Sequence, residues 1–212
     1  MKRNFSNLLL SVLTSTTAAL SILSSIPSLA HAANSQSERL ANNNDARVLW
    51  ANNAVTTPLD SSYMKSVSQG FGGWNSSFGG YHTGYDIATA NRNPSVYAIA
   101  DGTVVWNSTS SSKYTNAFDK YWNAFVIIKH GNYYAYYGHL TSSLKENSQV
   151  RKGSSIGSIR DAYSSSTKKN TGNNHLHISI STGKDWVKGR WGYQPKKEGL
   201  NQFVNPARYI GL

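Results

Sequence analysis

From about residue 61 onward the chain is patterned in short apolar or alternating runs punctuated by glycine, which predicts strands rather than helices. Residues 96–100 (Val-Tyr-Ala-Ile-Ala), Asp101-Gly102 and residues 103–106 (Thr-Val-Val-Trp) predict two strands joined by a tight hairpin, because Asp-Gly suits a type I′ turn. Residues 125–130, Gly131-Asn132 and residues 133–137 repeat that layout. Residues 150–159 carry Gly153 and Gly157 between β-prone segments, and residues 176–181 alternate apolar and polar as a half-buried strand does. This region shows no helical period of useful length. The expectation is an all-β domain over 61–212, an antiparallel sheet or sandwich. Three stretches, about 107–124, 160–173 and 184–201, break the regular spacing and are expected as loops walling a groove.

The start of the chain reads differently. Lys2 and Arg3 precede an apolar run from Leu8 to about Leu29 that is diluted by Ser and Thr, and Ala30-His31-Ala32 offers small residues where a signal peptidase looks. Residues 1–32 are therefore expected to be a secretory signal; a membrane anchor fits less well because of that dilution and the cleavage-like site. Residues 33–60 are rich in Asn and Ser and are expected as a polar linker or short pro-segment. The protein is accordingly expected outside the cytoplasm, secreted, periplasmic or in the cell envelope, with no membrane attachment after cleavage.

Of the 212 residues, 21 are Lys or Arg against 10 Asp or Glu, a formal net charge of +11. Such a surface favours polyanionic neighbours. With an export signal, an anionic envelope polymer is a better partner than nucleic acid, and no recognition helix or aromatic RNA-binding motif is present. The chain holds no cysteine. No disulfide can brace it outside the cell and no thiolate can bind metal, so a metal site must use histidines and carboxylates.

Those residues occur in two distant stretches. His82 and Asp86 stand four apart, and His175 and His177 flank Leu176 on a predicted strand, where residues two apart share a face. A catalytic zinc site takes three protein ligands and leaves a fourth position for water. His82, Asp86 and an imidazole from the distant strand meet that count, and His175 is then free as a proton carrier. Each element is weak by itself; together, in a chain of six histidines of which His31 falls in the leader, they are much stronger. His130 precedes Gly131-Asn132 and reads as a turn residue rather than a ligand. Tyr133, Tyr134, Tyr136 and Tyr137 alternate faces of one strand, half expected in the core and half along the groove.

The run His82-Thr83-Gly84-Tyr85-Asp86-Ile87, followed by residues 96–104, resembles the opening of lysostaphin/LytM-type zinc endopeptidases, which cut peptide bridges and stems of bacterial peptidoglycan. The resemblance continues through residues 126–131, Tyr136-Tyr137-Gly138-His139-Leu140, residues 150–153, Ile156-Gly157 and Thr171-Gly172-Asn173-Asn174-His175-Leu176-His177, and closes at residues 204–210. It spans about residues 70–210. It implies one zinc ion per chain held by His82, Asp86 and His177, His139 and His175 as the catalytic pair, and peptidoglycan peptides as substrate for a monomer. Which of His139 and His175 is the general base stays open at this stage. Two departures stand out. Ile178 and Ser179 occupy positions after the His-x-His pair where relatives often carry an acidic residue, and only Trp74, Asn75 and Tyr81 stand near the place of a polar orienter ahead of the first histidine. A non-catalytic relative that binds peptidoglycan or activates a hydrolase is the alternative; such proteins typically lack one or more of these residues, and this chain keeps all five.

Overall fold

A computed structural model describes residues 56–109, 121–163, 171–183 and 191–212. The predicted signal, most of the predicted linker and parts of the three predicted groove loops (110–120, 164–170 and 184–190) lie outside the described residues. In chain order the elements among the described residues are β1 (Val67–Gln69), β2 (Trp74–Asn75), β3 (Gly80–His82), β4 (Gly84–Ala88), β5 (Ser95–Tyr97), β6 (Gly102–Asn107), β7 (Phe125–His130), β8 (Tyr133–Gly138), β9 (Leu140–Thr141), β10 (Gln149–Val150), β11 (Ser155–Ile159), β12 (His175–Ser181), β13 (Tyr193–Gln194), a 3-10 helix (Lys197–Gln202), β14 (Phe203–Val204) and a one-turn helix α1 (Ala207–Ile210). The main sheet runs β1-β4-β12-β8-β7-β6-β10 with β14 beside β12; β5-β11-β9 and β13-β3-β2 form two smaller sheets. Every ladder among the described residues is antiparallel, in agreement with the all-β expectation.

The side-chain period of two separates the faces of the central strands. Val126, Ile128, Tyr133, Ala135, Tyr137, Leu176, Ile178 and Ile180 face one continuous core, shared with Leu59, Val96, Ile99, Ile156 and Ile159. Leu59 is fully buried and Thr56 donates its backbone N–H to the Ile99 carbonyl, so residues 56–60 pack as part of the same body. The opposite face of β7 and β8 carries Ile127, Tyr134 and Tyr136 beneath Trp191 and Phe203. Of the four tyrosines, Tyr133 and Tyr137 are the half in the main core, and Tyr134 and Tyr136 are the half on the other face. Tyr134 and Tyr136 are each only 8% exposed, and Tyr136 stacks on Trp191 at 5.4 Å and on Phe125 at 4.9 Å.

One predicted hairpin forms and the other does not. β7 and β8 pair in register from His130↔Tyr133 onward, and Gly131 supplies the left-handed φ of 59° that their turn requires. Asp101-Gly102, by contrast, is no hairpin turn. β5 pairs β11 in one sheet, whereas β6 pairs β7 and β10 in another. The backbone groups around Asp101 are claimed elsewhere: Ala98 bonds Ser154 and Gly153, and the Asp101 carbonyl accepts from His130. Glycine is needed at 102 for close approach, since a Cβ there would lie 2.6 Å from both the Lys129 carbonyl and His130 Nδ1.

His130 is a core residue rather than a ligand. Its Nδ1–H donates to the Asp101 carbonyl at 3.0 Å, its Nε2 accepts from the Tyr137 hydroxyl at 3.0 Å, and that hydroxyl oxygen accepts from the Ile99 N–H at 3.1 Å. This chain is complete only with a neutral imidazole. Burial, outweighing the Asp101 contacts, lowers its pKa from 6.5 to about 4. The native state therefore prefers the neutral form: the contribution is whole above pH 6.5 and is lost as the pH falls from 6.5 towards 4, at a cost of about 3 kcal/mol. In metal-free protein, urea titrations at pH 7.5 and pH 4 should show a pH-dependent loss about 3 kcal/mol smaller in His130→Asn than in wild type. Equal losses in both proteins would show that this imidazole does not contribute to acid lability.

Candidate metal centre

Strand register brings the distant stretches together. On β12 the face opposite Leu176, Ile178 and Ile180 carries His175, His177 and Ser179, and β4 lies beside it with His177 opposite Asp86 and His175 opposite Ala88. Directly opposed residues on antiparallel strands stand about 5 Å apart at Cβ, close enough for short side chains to meet. β4 can approach because residue 84 is glycine; a Cβ there would stand 2.1 Å from the Ile178 carbonyl oxygen. His82 comes from β3, in the β13-β3-β2 sheet, and Thr83 turns the chain from that sheet into β4.

The result is a tight triangle. His177 Nδ1 is 2.7 Å from Asp86 Oδ1, His82 Nε2 is 3.2 Å from the same oxygen, and the two nitrogens are 3.0 Å apart. Ligand atoms held about 2.0–2.1 Å from a tetrahedral zinc lie roughly 3.3 Å from one another. The three separations fall at or somewhat under that spacing. The far nitrogen of each imidazole is committed. His82 Nδ1–H donates to the Gly70 carbonyl at 3.2 Å. His177 Nε2 lies 2.7 Å from Ser179 Oγ, whose own hydroxyl donates to the Trp191 carbonyl at 2.9 Å, so Nε2–H is the donor. Thr83 Oγ1 joins this cluster, 2.9 Å from Ser179 Oγ and hydrogen-bonded to the Trp191 carbonyl. Two lone pairs and a carboxylate oxygen thus face one point, an arrangement that repels itself unless a cation or proton sits there. His82, Asp86 and His177 are all buried and could hold a metal ion.

The charge state suits that use. Burial would raise the Asp86 carboxyl, but the adjoining His177 and His82, with His175 nearby, outweigh it and hold the group well below the usual carboxylate range. Burial lowers His177 below the ordinary imidazole value despite Asp86 beside it. An ionised carboxylate with neutral His177 is a donor set that zinc accepts.

His139 and His175 stand next to this triangle. His139 links β8 to β9 with a φ of 62°, unusual for a residue with a side chain, and this kink carries the strand from the main sheet into the β5-β11-β9 sheet. Its Nδ1–H donates to the Tyr121 carbonyl at 3.2 Å; burial first, then the nearby His175 and His177, pushes its pKa well below the ordinary value. His175 Nδ1–H donates to the Asn173 carbonyl at 2.8 Å, and its Nε2 is 4.0 Å from Asp86 Oδ1. The two rings lie 4.6 Å apart at their centroids. Both therefore keep Nε2 as the nitrogen free to accept a proton.

Aromatic rings border the site. Tyr193 sits 5.1 Å from the His82 ring and stacks on half-exposed Phe78 at 4.6 Å; Phe78 meets Trp122 at 5.5 Å, and Trp122 meets His139 at 5.3 Å. The Tyr193 hydroxyl donates to Gln69 Oε1 at 2.8 Å, and Asn75 Nδ2 reaches both. Sequence reasoning did not single out Tyr121, Trp122, Tyr193 or the Ser179–Thr83 cluster as working parts. Period two along β12 could have marked Ser179 as sharing the histidine face; backbone carbonyls such as those of Gly70 and Trp191 leave no sequence signal.

Several solved structures are similar to this chain. The catalytic domain of the antimicrobial peptidase lysostaphin from Staphylococcus simulans matches at 17% identity over 73% of this chain and 99% of that one, with a TM-score of 0.49. Csd3 of Helicobacter pylori matches at 22% identity over 74% of this chain, TM-score 0.46, and the match spans only 34% of the Csd3 chain. The catalytic domain of the prophage-encoded M23 protein EnpA from Enterococcus faecalis, in a mutant form, matches at 22% identity over 73% and 96% of the two chains, TM-score 0.46. No curated protein matches this chain. The model of peptidase family M23 matches residues 80–188, just over half of the sequence. That span runs from β3 past β12 and contains His82, Asp86, His139, His175 and His177; the chain belongs to peptidase family M23.

Proposed function

We propose that the protein is an exported zinc metalloendopeptidase that hydrolyses peptide bonds in bacterial peptidoglycan, in cross-bridges or stem peptides. The observation that carries this reading is the convergence of His82 Nε2, Asp86 Oδ1 and His177 Nδ1 within 3.2 Å of one another, with two further imidazoles beside them. Membership of a peptidase family supplies the reaction class. A leader at residues 1–32 and a net charge of +11 favour work on an anionic polymer outside the cytoplasm. No described helix is long and apolar enough to cross a membrane.

In this reading His82, Asp86 and His177 hold one zinc ion. When bound, the metal acts as a Lewis acid on the scissile carbonyl and acidifies the water in its open position. The remaining work falls to the chain's own groups. Hydrogen bonds to the Gly70 carbonyl and to Ser179 lock the ligand imidazoles in the tautomers that face the ion. His139 and His175, their Nδ1–H groups occupied, offer Nε2 to take the proton of the attacking water and return it to the leaving amine. The burial that keeps His139 neutral keeps that nitrogen available at neutral pH.

The Ser179 contact gives a graded expectation. Ser179→Ala removes the acceptor 2.7 Å from His177 Nε2 but leaves the Trp191 carbonyl 3.1 Å away. Zinc affinity should fall by about tenfold, the low end for loss of such a partner. Competition against a chromophoric chelator measures it, and unchanged affinity would remove Ser179 from the account of the site.

The activity itself is tested by incubating purified sacculi and oligoglycine peptides with zinc-loaded protein and following new amino termini by labelling and mass spectrometry. Zinc-dependent release of peptide fragments is expected. No new amino groups from any sacculus would end the proposal.

A further inference from the structure

Tyr121 touches both histidines of the proposed proton-handling pair, and it does so with three different parts of itself. Its main-chain carbonyl accepts from His139 Nδ1–H at 3.2 Å. Its ring stacks on the His139 imidazole at 4.3 Å between centroids and 11° between planes. Its hydroxyl oxygen stands 3.1 Å from His175 Nδ1, with the two rings edge to face at 6.2 Å. From these contacts we propose that Tyr121 is a positioning residue that fixes the tautomer and mutual orientation of His139 and His175. The proposal rests on the catalytic reading given above.

The hydrogen-bond roles follow from which atoms can donate. The Asn173 carbonyl, 2.8 Å from His175 Nδ1, can only accept, so Nδ1 carries the proton and the Tyr121 oxygen takes a second share of it. Flipping the His175 ring would strand both acceptors. His139 is held in the same way on its Nδ1 side, so one residue commits the outer nitrogen of each ring and leaves Nε2 of each on the metal side. The clip is anchored: Ala124 N–H also donates to the Tyr121 carbonyl at 3.3 Å, and His139 N–H donates to the Ala124 carbonyl at 2.7 Å. The tyrosine is 2% exposed, and burial together with the Asp86 charge raises its pKa, so the hydroxyl stays neutral. Burial of a polar ring between two imidazoles is costly unless its hydroxyl is used, and here it is used.

Tyr121→Phe separates the hydroxyl from the rest, because ring and carbonyl remain. In zinc-loaded protein, kcat should fall about fivefold to tenfold, the worth of one hydrogen bond, with KM within about twofold of wild type and zinc content unchanged. Long-range proton–nitrogen NMR of the histidine side chains should show His175 passing from a single Nδ1–H form to a mixture, while His139 keeps its form. Tyr121→Leu, which also removes the stack, should lower kcat by about a hundredfold and disturb both histidines. Retained zinc and an unchanged melting temperature separate these effects from misfolding. Unchanged kcat together with an unchanged His175 spectrum in Tyr121→Phe would overturn the proposal. If wild type cleaved no peptide, the spectra alone would still decide the positioning role, while the hydrolytic reading would fall separately.

Discussion

Replacing His177 by alanine should abolish both metal binding and hydrolysis. This imidazole stands at the centre of the site: Nδ1 is 2.7 Å from Asp86 Oδ1 and 3.0 Å from His82 Nε2, and the ring is buried, with Nε2 tied to Ser179. Alanine leaves one imidazole and one carboxylate, too few donors for a site that needs three from the protein. The space left is lined by the Asp86 carboxylate and Ser179, so a water there would be a poor substitute for a fixed nitrogen. After dialysis the variant should keep less than about a tenth of stoichiometric zinc, and activity should drop by at least about a thousandfold. Metal analysis and peptide-release assays on the same preparation check both. Full zinc occupancy in His177→Ala would place the metal elsewhere.

The second large effect concerns His139 and His175, and its pattern differs from the first. Neither ring belongs to the triangle, so His139→Ala and His175→Ala should each retain zinc at wild-type stoichiometry. Each should nevertheless lose about 10²–10⁴ in kcat, the usual worth of a positioned proton carrier. Their centroids are only 4.6 Å apart and both are oriented through Tyr121, so they are expected to act as a unit. The double variant should then fall little further than the worse single one, as happens when linked groups serve one step. Steady-state kinetics with zinc measured in each sample is sufficient. Losses that multiply in the double variant would show two independent roles.

Much of this was legible in the sequence, for physical reasons. Alternation along residues 175–181 fixes which side chains share a face whatever sheet the strand joins, so His175 and His177 had to stand together, away from Leu176. Their meeting with Asp86 depends on register, which no local pattern encodes; it was anticipated from the ligand count that zinc needs, and the resemblance to known endopeptidases singled out His177. The Asp101-Gly102 hairpin failed because one dipeptide serves two needs, a left-handed turn or a close backbone contact, and the contact with β7 decided here. Alternation separates Tyr134 and Tyr136 from Tyr133 and Tyr137 without saying what covers each face; Trp191 and Phe203, distant in sequence, cover the first pair. Tyr121, Thr83 and the Gly70 and Trp191 carbonyls work through hydrogen bonds made only after the sheets assemble, and no spacing announces them.

The most direct measurement is anomalous diffraction at the zinc absorption edge from crystals of the zinc-loaded protein. A single peak about 2.0–2.2 Å from His82 Nε2, Asp86 Oδ1 and His177 Nδ1 together, with a solvent molecule as fourth ligand, is the result expected. A peak bound by any other set of side chains, or none at this triangle in crystals that contain zinc, would contradict the account.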